Sequence, residues 1–263
     1  MLTRPRLIPC LLLDRDRLVK TVAFRRPRYL GDPLNAARIF NDKAADELMV
    51  LDITATDEGR PPNLALIGQL ASECFMPLTY GGGIGELTQI RAILRLGVEK
   101  VVLGTAAAER PGLLAQAAAT FGAQSLCVAI DVRRRLLGGE AVTVRRGRRI
   151  IARDAVAWAR RLAGEGAGEI LLTRIEREGG MQGYDLDLVA RVAAAVEIPV
   201  IAHGGAGRQE HLAEAILRAG AAGAAAGSLF VYQGRHRAVL LSYVNDADFA
   251  RLFPPAALPA GSG

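Results

Sequence analysis

Short, continuously apolar runs recur along the chain, separated by longer stretches in which apolar residues return with helical spacing. The runs are Leu7–Leu13, Leu48–Ile53, Pro77–Tyr80, Val101–Gly104, Leu126–Asp131, Ile170–Thr173, Val200–His203 and Ala222–Gly227. Runs this short, without polar alternation, predict strands covered on both faces. The stretches between them predict helices, among them Pro33–Ala44, Leu87–Leu96, Leu113–Thr120, Asp154–Gly164, Leu186–Val196 and Glu210–Arg218. Eight such strands alternating with helices over 263 residues predict an α/β fold, a (βα)8 barrel. A doubly wound open sheet is the alternative, and no GxGxxG turn follows the first strand to favour it. Residues 1–253 are expected to form the barrel. Pro254–Gly263, rich in Pro, Ala and Gly, is expected to be a loose tail.

An internal repeat sharpens the barrel reading. Gly82-Gly83-Ile84-Gly85 precedes Ala92-Ile93-Leu94-Arg95-Leu96-Gly97, and Gly204-Gly205-Ala206-Gly207 precedes Ala215-Ile216-Leu217-Arg218-Ala219-Gly220. Each unit runs on into a strand ending in Gly104-Thr105 or Gly227-Ser228. A period of half the chain implies two similar half-barrels, not a solenoid.

Composition narrows the partners. Hydrophobic residues make up 51% of the chain, enough for a sizeable core. The net charge of +6 is spread along the sequence, so no nucleic-acid footprint is indicated. No apolar run approaches the ~20 residues of a membrane span, and the N-terminal run is too short for a secretory signal. Cys10, Cys74 and Cys127 lie apart without metal-ligand spacing. They predict buried free thiols, a reducing cytoplasmic setting, no metal site and no cofactor.

In a (βα)8 barrel the C-terminal ends of the strands form the active face. Gly83 and Thr105 on one side, and Gly205, Gly227 and Ser228 on the other, would lie there. They are either tight turns or paired phosphate cups, since glycines let backbone N–H groups approach an anion closely. Asp52 and Asp131 close buried strands at the same rim, as proton-transfer groups or as helix caps and arginine partners. His203 also ends a strand, with no catalytic partner evident beside it. Trp158 reads as core, and Arg133–Arg135 with Arg145–Arg149 as a hairpin inserted after the fifth strand. At the opposite strand ends stand Arg6, Glu47, Lys100 and Glu169, either solvated or joined in a closed ring of salt bridges. Only Lys20, Lys43 and Lys100 are lysines in this arginine-rich chain, so a lysine at such a point is notable.

From about Arg4 to Tyr243 the chain resembles the cyclase subunit of imidazole glycerol phosphate synthase. The resemblance is carried by Ile8-Pro9-Cys10-Leu11, Gly31-Asp32-Pro33, Asp46-Glu47-Leu48, Gly81-Gly82-Gly83-Ile84, Val128-Ala129-Ile130-Asp131, Gly166–Thr173 and Gly183-Tyr184-Asp185. It implies a barrel whose glutaminase partner docks at the bottom face, with ammonia passing through to the top. Arg6, Glu47, Lys100 and Glu169 then match the gate at the channel entrance. Gly83 and Thr105, with Gly205, Gly227 and Ser228, match two phosphate sites for a phosphorylated small molecule. Asp131 matches one catalytic aspartate.

The other catalytic aspartate is replaced by Leu12. Cyclase chemistry needs two carboxylates, and leucine cannot titrate. Asp14 faces the same side but about 7 Å further along the strand. Gly104 and His203 also depart from the family pattern, and Ile175–Gly179 is an enlarged version of its acidic segment. Cys10-Leu11-Leu12-Leu13, Val19-Lys20-Thr21-Val22 and Cys74–Leu78 resemble a side branch associated with surface polysaccharides. That resemblance implies ammonia delivery for acetamidino-sugar synthesis, with a separate sugar amidotransferase as a further partner. An authentic cyclase of histidine biosynthesis and a non-catalytic docking scaffold for a glutaminase remain the alternatives.

Overall fold

The structure is a computed structural model, which describes residues 4–135 and 138–254. Eight parallel strands close into a barrel: β1 (Arg6–Asp14), β4 (Leu48–Asp52), β5 (Leu78–Gly81), β6 (Lys100–Leu103), β7 (Leu126–Arg134), β10 (Glu169–Arg174), β11 (Val200–His203) and β12 (Gly223–Ala226). Neighbours pair in that order, and β12 returns to β1 to complete the ring. Each expected strand is present, within a residue or two at most ends. The expected tail, Pro254–Gly263, lies outside the described residues apart from Pro254.

The pleat explains why the runs are apolar throughout. One set of alternate residues faces the surrounding helices, and the other faces the barrel axis. Ile8, Cys10, Leu12, Met49, Val102, Cys127, Leu171, Ile201 and Ala225 form a separate inner cluster. The larger cluster lies between barrel and helices and includes Leu7, Phe40, Ile90, Trp158 and Phe230. Trp158 is therefore core, as its helical position predicts.

The helices start where side chains can satisfy their first N–H groups. Asp32 caps α1 (Pro33–Asp42) by accepting from Asn35 N, with Pro33 in the first turn. Asp154 caps α7 (Ala155–Gly164), accepting from Val156 N and Ala157 N. Asn63 caps α3 (Leu64–Glu73), a helix the hydrophobic pattern did not single out. Among the described residues no helix is long and apolar enough to cross a membrane.

Two strand additions decorate the rim. After β7 the chain turns back through β8 (Glu140–Val144) and β9 (Arg149–Ala152), the arginine-flanked insertion expected there. After β1 it forms a hairpin, β2 (Arg17–Val22) and β3 (Arg25–Gly31), which the sequence did not reveal. Arg25–Gly31 carries three arginines and a proline and is largely exposed, so it reads as loop. Tertiary contacts hold its tip: Ala23 N donates to Glu178 O at 2.9 Å, and Phe24 N to the Glu178 carboxylate at 3.1 Å.

Candidate functional site at the two ends of the barrel

The bottom opening is built by strand parity. Arg6, Glu47, Lys100 and Glu169 lie two residues before Ile8, Met49, Val102 and Leu171, all members of the inner cluster. The same parity turns their side chains toward the axis. There they form a closed ring in which charges alternate. Arg6 donates to Glu47 at 2.7 Å and also pairs with Glu169. Lys100 lies 3.5 Å from Glu47 and 3.3 Å from Glu169. Thr79 adds a hydroxyl bond to Glu47 at 2.8 Å. Both carboxylates are buried, at 1% and 4% exposure, so the paired cations offset the cost of burying their charge. Burial acts to lower the Arg6 pKa, but Glu169 and Glu47 outweigh it and hold the guanidinium above its usual range.

The top opening is a cavity of about 150 Å³ that reaches down to Leu12, Leu51, Val102, Ala129 and Leu171 of the inner surface. β1 and β7 are four steps apart around the eight-strand ring, so position 12 and Asp131 face each other across the mouth. Leu12 is buried against apolar neighbours. Asp131 is half-buried on the cavity wall, and burial pushes its carboxyl up to about 7; the Thr173 hydroxyl pulls against this and Glu178 adds to it. Asp14 is turned to Thr54, whose hydroxyl donates to it at 3.3 Å.

Asp52 follows its structural alternative. It accepts from Thr54 N at 3.0 Å and Ala55 N at 2.9 Å, and Arg60 reaches it at 3.2 Å. It is thus both a turn cap and an arginine partner.

The residues expected to form phosphate cups gather on opposite sides of the mouth, because β5 and β6 stand four steps from β11 and β12. On one side Gly83 and Thr105 line a cavity of about 270 Å³ with Arg60, Arg110 and Arg145. A Cβ at Gly83 would lie 2.6 Å from Arg60 O, so the turn there requires glycine. On the other side Gly205, Gly227 and Ser228 line a space of only about 10 Å³. Among the described residues the buried Ser228 hydroxyl has no hydrogen-bond partner. The Lys20 side chain lies over Gly227, with its Cε 3.0 Å from where a Cβ would be. Lys20 pairs there with Glu178, so the two glycine turns differ in room although their sequences match.

Sequence reasoning did not bring together Lys20, Glu178, Thr173 and His203. Burial alone would raise the Glu178 pKa; the Lys20 ammonium outweighs it and holds the carboxylate below its usual range. His203 is buried beside Thr173, its Nδ1 3.0 Å from the hydroxyl. Burial pulls the imidazole down to about 4, Glu178 opposing and Lys20 reinforcing. Lys20 had a signal in its scarcity, and Glu178 in the unusual acidic segment. Their pairing spans 158 residues and left none. Burial pushes the Cys10 thiol up to about 12 and the Cys74 thiol up to about 11, which makes both poor nucleophiles near neutral pH. Among the described residues no group of three or more His, Cys, Asp or Glu side chains converges on a metal position.

The raised Asp131 pKa sets a pH-dependent expectation. A carboxyl whose folded pKa exceeds its unfolded value contributes stability below the unfolded pKa and loses it as pH rises through the folded one. Asp131→Asn is therefore expected to be more stable than the native chain at pH 8, by about 1–4 kcal/mol. The gap should close below about pH 4. Urea unfolding at both pH values measures it, and a constant difference would contradict the assignment.

The sequence pattern of a family described as "Histidine biosynthesis protein" matches residues 6–237. Three relatives carry the name "Putative imidazole glycerol phosphate synthase subunit". HisF of Leptospira borgpetersenii is 46% identical over 95% of this chain and 99% of its own. The hisF2 protein of Pseudomonas aeruginosa is 48% identical over 94% and 99%. The hisF3 protein of Vibrio vulnificus is 44% identical over 93% and 95%.

Proposed function

We propose, from the premise that this chain belongs to the histidine biosynthesis protein family, that it is the ammonia-conducting barrel subunit of a glutamine amidotransferase. A glutaminase subunit would dock at the bottom face and release ammonia at the ring of Arg6, Glu47, Lys100 and Glu169. The observation that carries the reading is this ring, which stands across the bottom opening directly beneath an apolar inner surface. Neutral ammonia crosses an apolar interior at little cost, whereas ammonium must first lose its proton. A ring of mobile charge pairs can part for a small molecule and close behind it. Lys100 suits this better than arginine, since its compact head makes longer contacts and swings on a flexible stem.

At the mouth, one carboxylate faces a leucine where the cyclase pattern has two acids. This favours delivery of ammonia onward over closure of an imidazole ring within the barrel. An acetamidino sugar for surface polysaccharide, made with a separate sugar amidotransferase, fits that chemistry as the destination. The phosphate-cup residues Gly83 and Thr105 would anchor a phosphorylated small molecule beside Asp131, with Gly205, Gly227 and Ser228 as the second cup once Lys20 moves. An authentic cyclase acting through Asp131 is the second reading, favoured by the names of the relatives. A docking scaffold without chemistry is the third.

Lys100→Met separates conduit from scaffold. The expected result is unchanged association with the glutaminase subunit, with several-fold more of the ammonia escaping to solvent per glutamine hydrolysed. Free ammonia and glutamate are measured together on the complex. Equal leakage from the native and variant complexes would overturn the conduit.

A further inference from the structure

In-register pairing places Asp131 of β7, Thr173 of β10 and His203 of β11 on one rung of three adjacent strands. All three line the mouth cavity. Thr173 Oγ1 lies 3.0 Å from His203 Nδ1, and strand pairing sets the same residue beside Asp131, whose raised pKa it opposes. Thr173 is only 1% exposed, so its hydroxyl is shielded from bulk water. A hydroxyl carries one proton, so in bridging these neighbours it donates to one and accepts from the other. The orientation of one bond therefore fixes the other.

We propose that Asp131, Thr173 and His203 form a proton relay whose second terminus at the mouth is the imidazole Nε2. Among the described residues Nε2 makes no hydrogen bond to protein, and His203 lines the cavity. With Asp131 ionised, Thr173 donates to the carboxylate and accepts the Nδ1–H, which leaves the Nε2 lone pair free as a base. When a nitrogen nucleophile adds at the mouth, its N–H bond breaks and an Nε2–H bond forms. The Nδ1 proton then passes to Thr173 Oγ1, and the Thr173 proton passes to Asp131. The nucleophile loses one proton, Asp131 gains one, and the electron pair of the broken N–H bond stays on nitrogen. Run backwards, the same row delivers a proton from Nε2 to a leaving oxygen, with no other reactant required.

The surroundings suit a relay. The imidazole is kept neutral, so its one ring proton is free to change nitrogens, while Asp131 titrates near neutral pH and can store and return a proton. The charged groups facing the row are engaged elsewhere. Glu178, after β10, is paired with Lys20 of β2. Across the cavity Asp52 is bound by Arg60, Asp57 by Arg148 and Arg145 by Glu109, and Arg146 donates to Phe24 O.

The relay rests on the reading of the mouth as the place where ammonia-derived nitrogen reacts, but its test does not need that reaction. The full chain alone, with ¹⁵N-labelled histidine, is followed by long-range proton–nitrogen NMR. With three histidines in the chain, His203→Asn identifies the relevant signal. The expected result is a His203 ring that stays neutral from about pH 5 to about pH 9. Its proton should sit on Nδ1 above the Asp131 titration near pH 7 and on Nε2 below it. Thr173→Val should abolish the inversion, Asp131→Asn should lock the low-pH form, and Thr173→Ser should retain the switch. A tautomer that does not change over this range, or an inversion that persists in Thr173→Val, overturns the relay. If Thr173→Val does not fold, Asp131→Asn and Thr173→Ser decide. A relay that switches as expected beside an ammonia leak unaffected by Lys100→Met would remove the conduit and leave the relay standing. A fixed tautomer beside a leaky Lys100→Met complex would do the reverse.

Discussion

Arg6→Ala is expected to lower the unfolding free energy by roughly 3–5 kcal/mol, the cost of breaking a buried ion pair from one side. Arg6 contributes the shorter bonds to both ring carboxylates, and only Lys100, at 3.3 and 3.5 Å, would remain to face them. Two buried anions would then share one ammonium that is 14% exposed. In a chain of this size the loss corresponds to a fall in Tm of about 6–20 °C. Thermal melts of both proteins at pH 5 and pH 8 measure this. A loss below about 1 kcal/mol at both pH values would mean that the ring behaves as an ordinary exposed set of pairs.

The second large effect is a gain. Leu12→Asp places a carboxylate across the mouth from Asp131, four strands away around the ring. General acid–base groups contribute about 10²–10⁴-fold, so with ammonium and the ribulosyl intermediate of histidine synthesis the variant should exceed the native chain by at least about 10²-fold in imidazole product. The gain carries a stability cost of about 1.5–3 kcal/mol, since the buried Leu12 side chain is lost from the inner cluster. Leu12→Asn is the control, similar in size to the aspartate but unable to titrate; it should lose stability without gaining turnover. A native chain already turning over at an ordinary enzymatic rate of about 1–10³ s⁻¹ would establish the authentic cyclase and end the onward-delivery reading.

Different physical signals account for what could be read in advance. The strands were legible because a strand buried on both faces cannot carry polar residues in its middle, and so it stands out between amphipathic helices. Hairpin β2–β3 was not legible, because exposed residues such as Arg25, Arg26 and Arg28 satisfy no hydrophobic pattern, and its tip is held by Glu178, far away in sequence. Asp52 looked like Asp131 in sequence, each closing an apolar run. They separate only when Arg60 and the turn after β4 are seen to occupy one carboxylate while the other opens into the mouth.

By itself the sequence determined the barrel and the strand ends that form its active face, which follow from periodicity and residue type and are local; the expected docking face and the missing acid at position 12 came from the resemblance to the cyclase family. Only the tertiary structure decided that Arg6, Glu47, Lys100 and Glu169 meet in a closed ring, that Lys20 covers the turn of Gly227 and Ser228, and that Asp131, Thr173 and His203 share one rung at the mouth. The physical reason is that closing eight strands into a cylinder fixes both side-chain parity and strand order, and these bring distant residues within hydrogen-bonding distance across an interval that no local pattern spans.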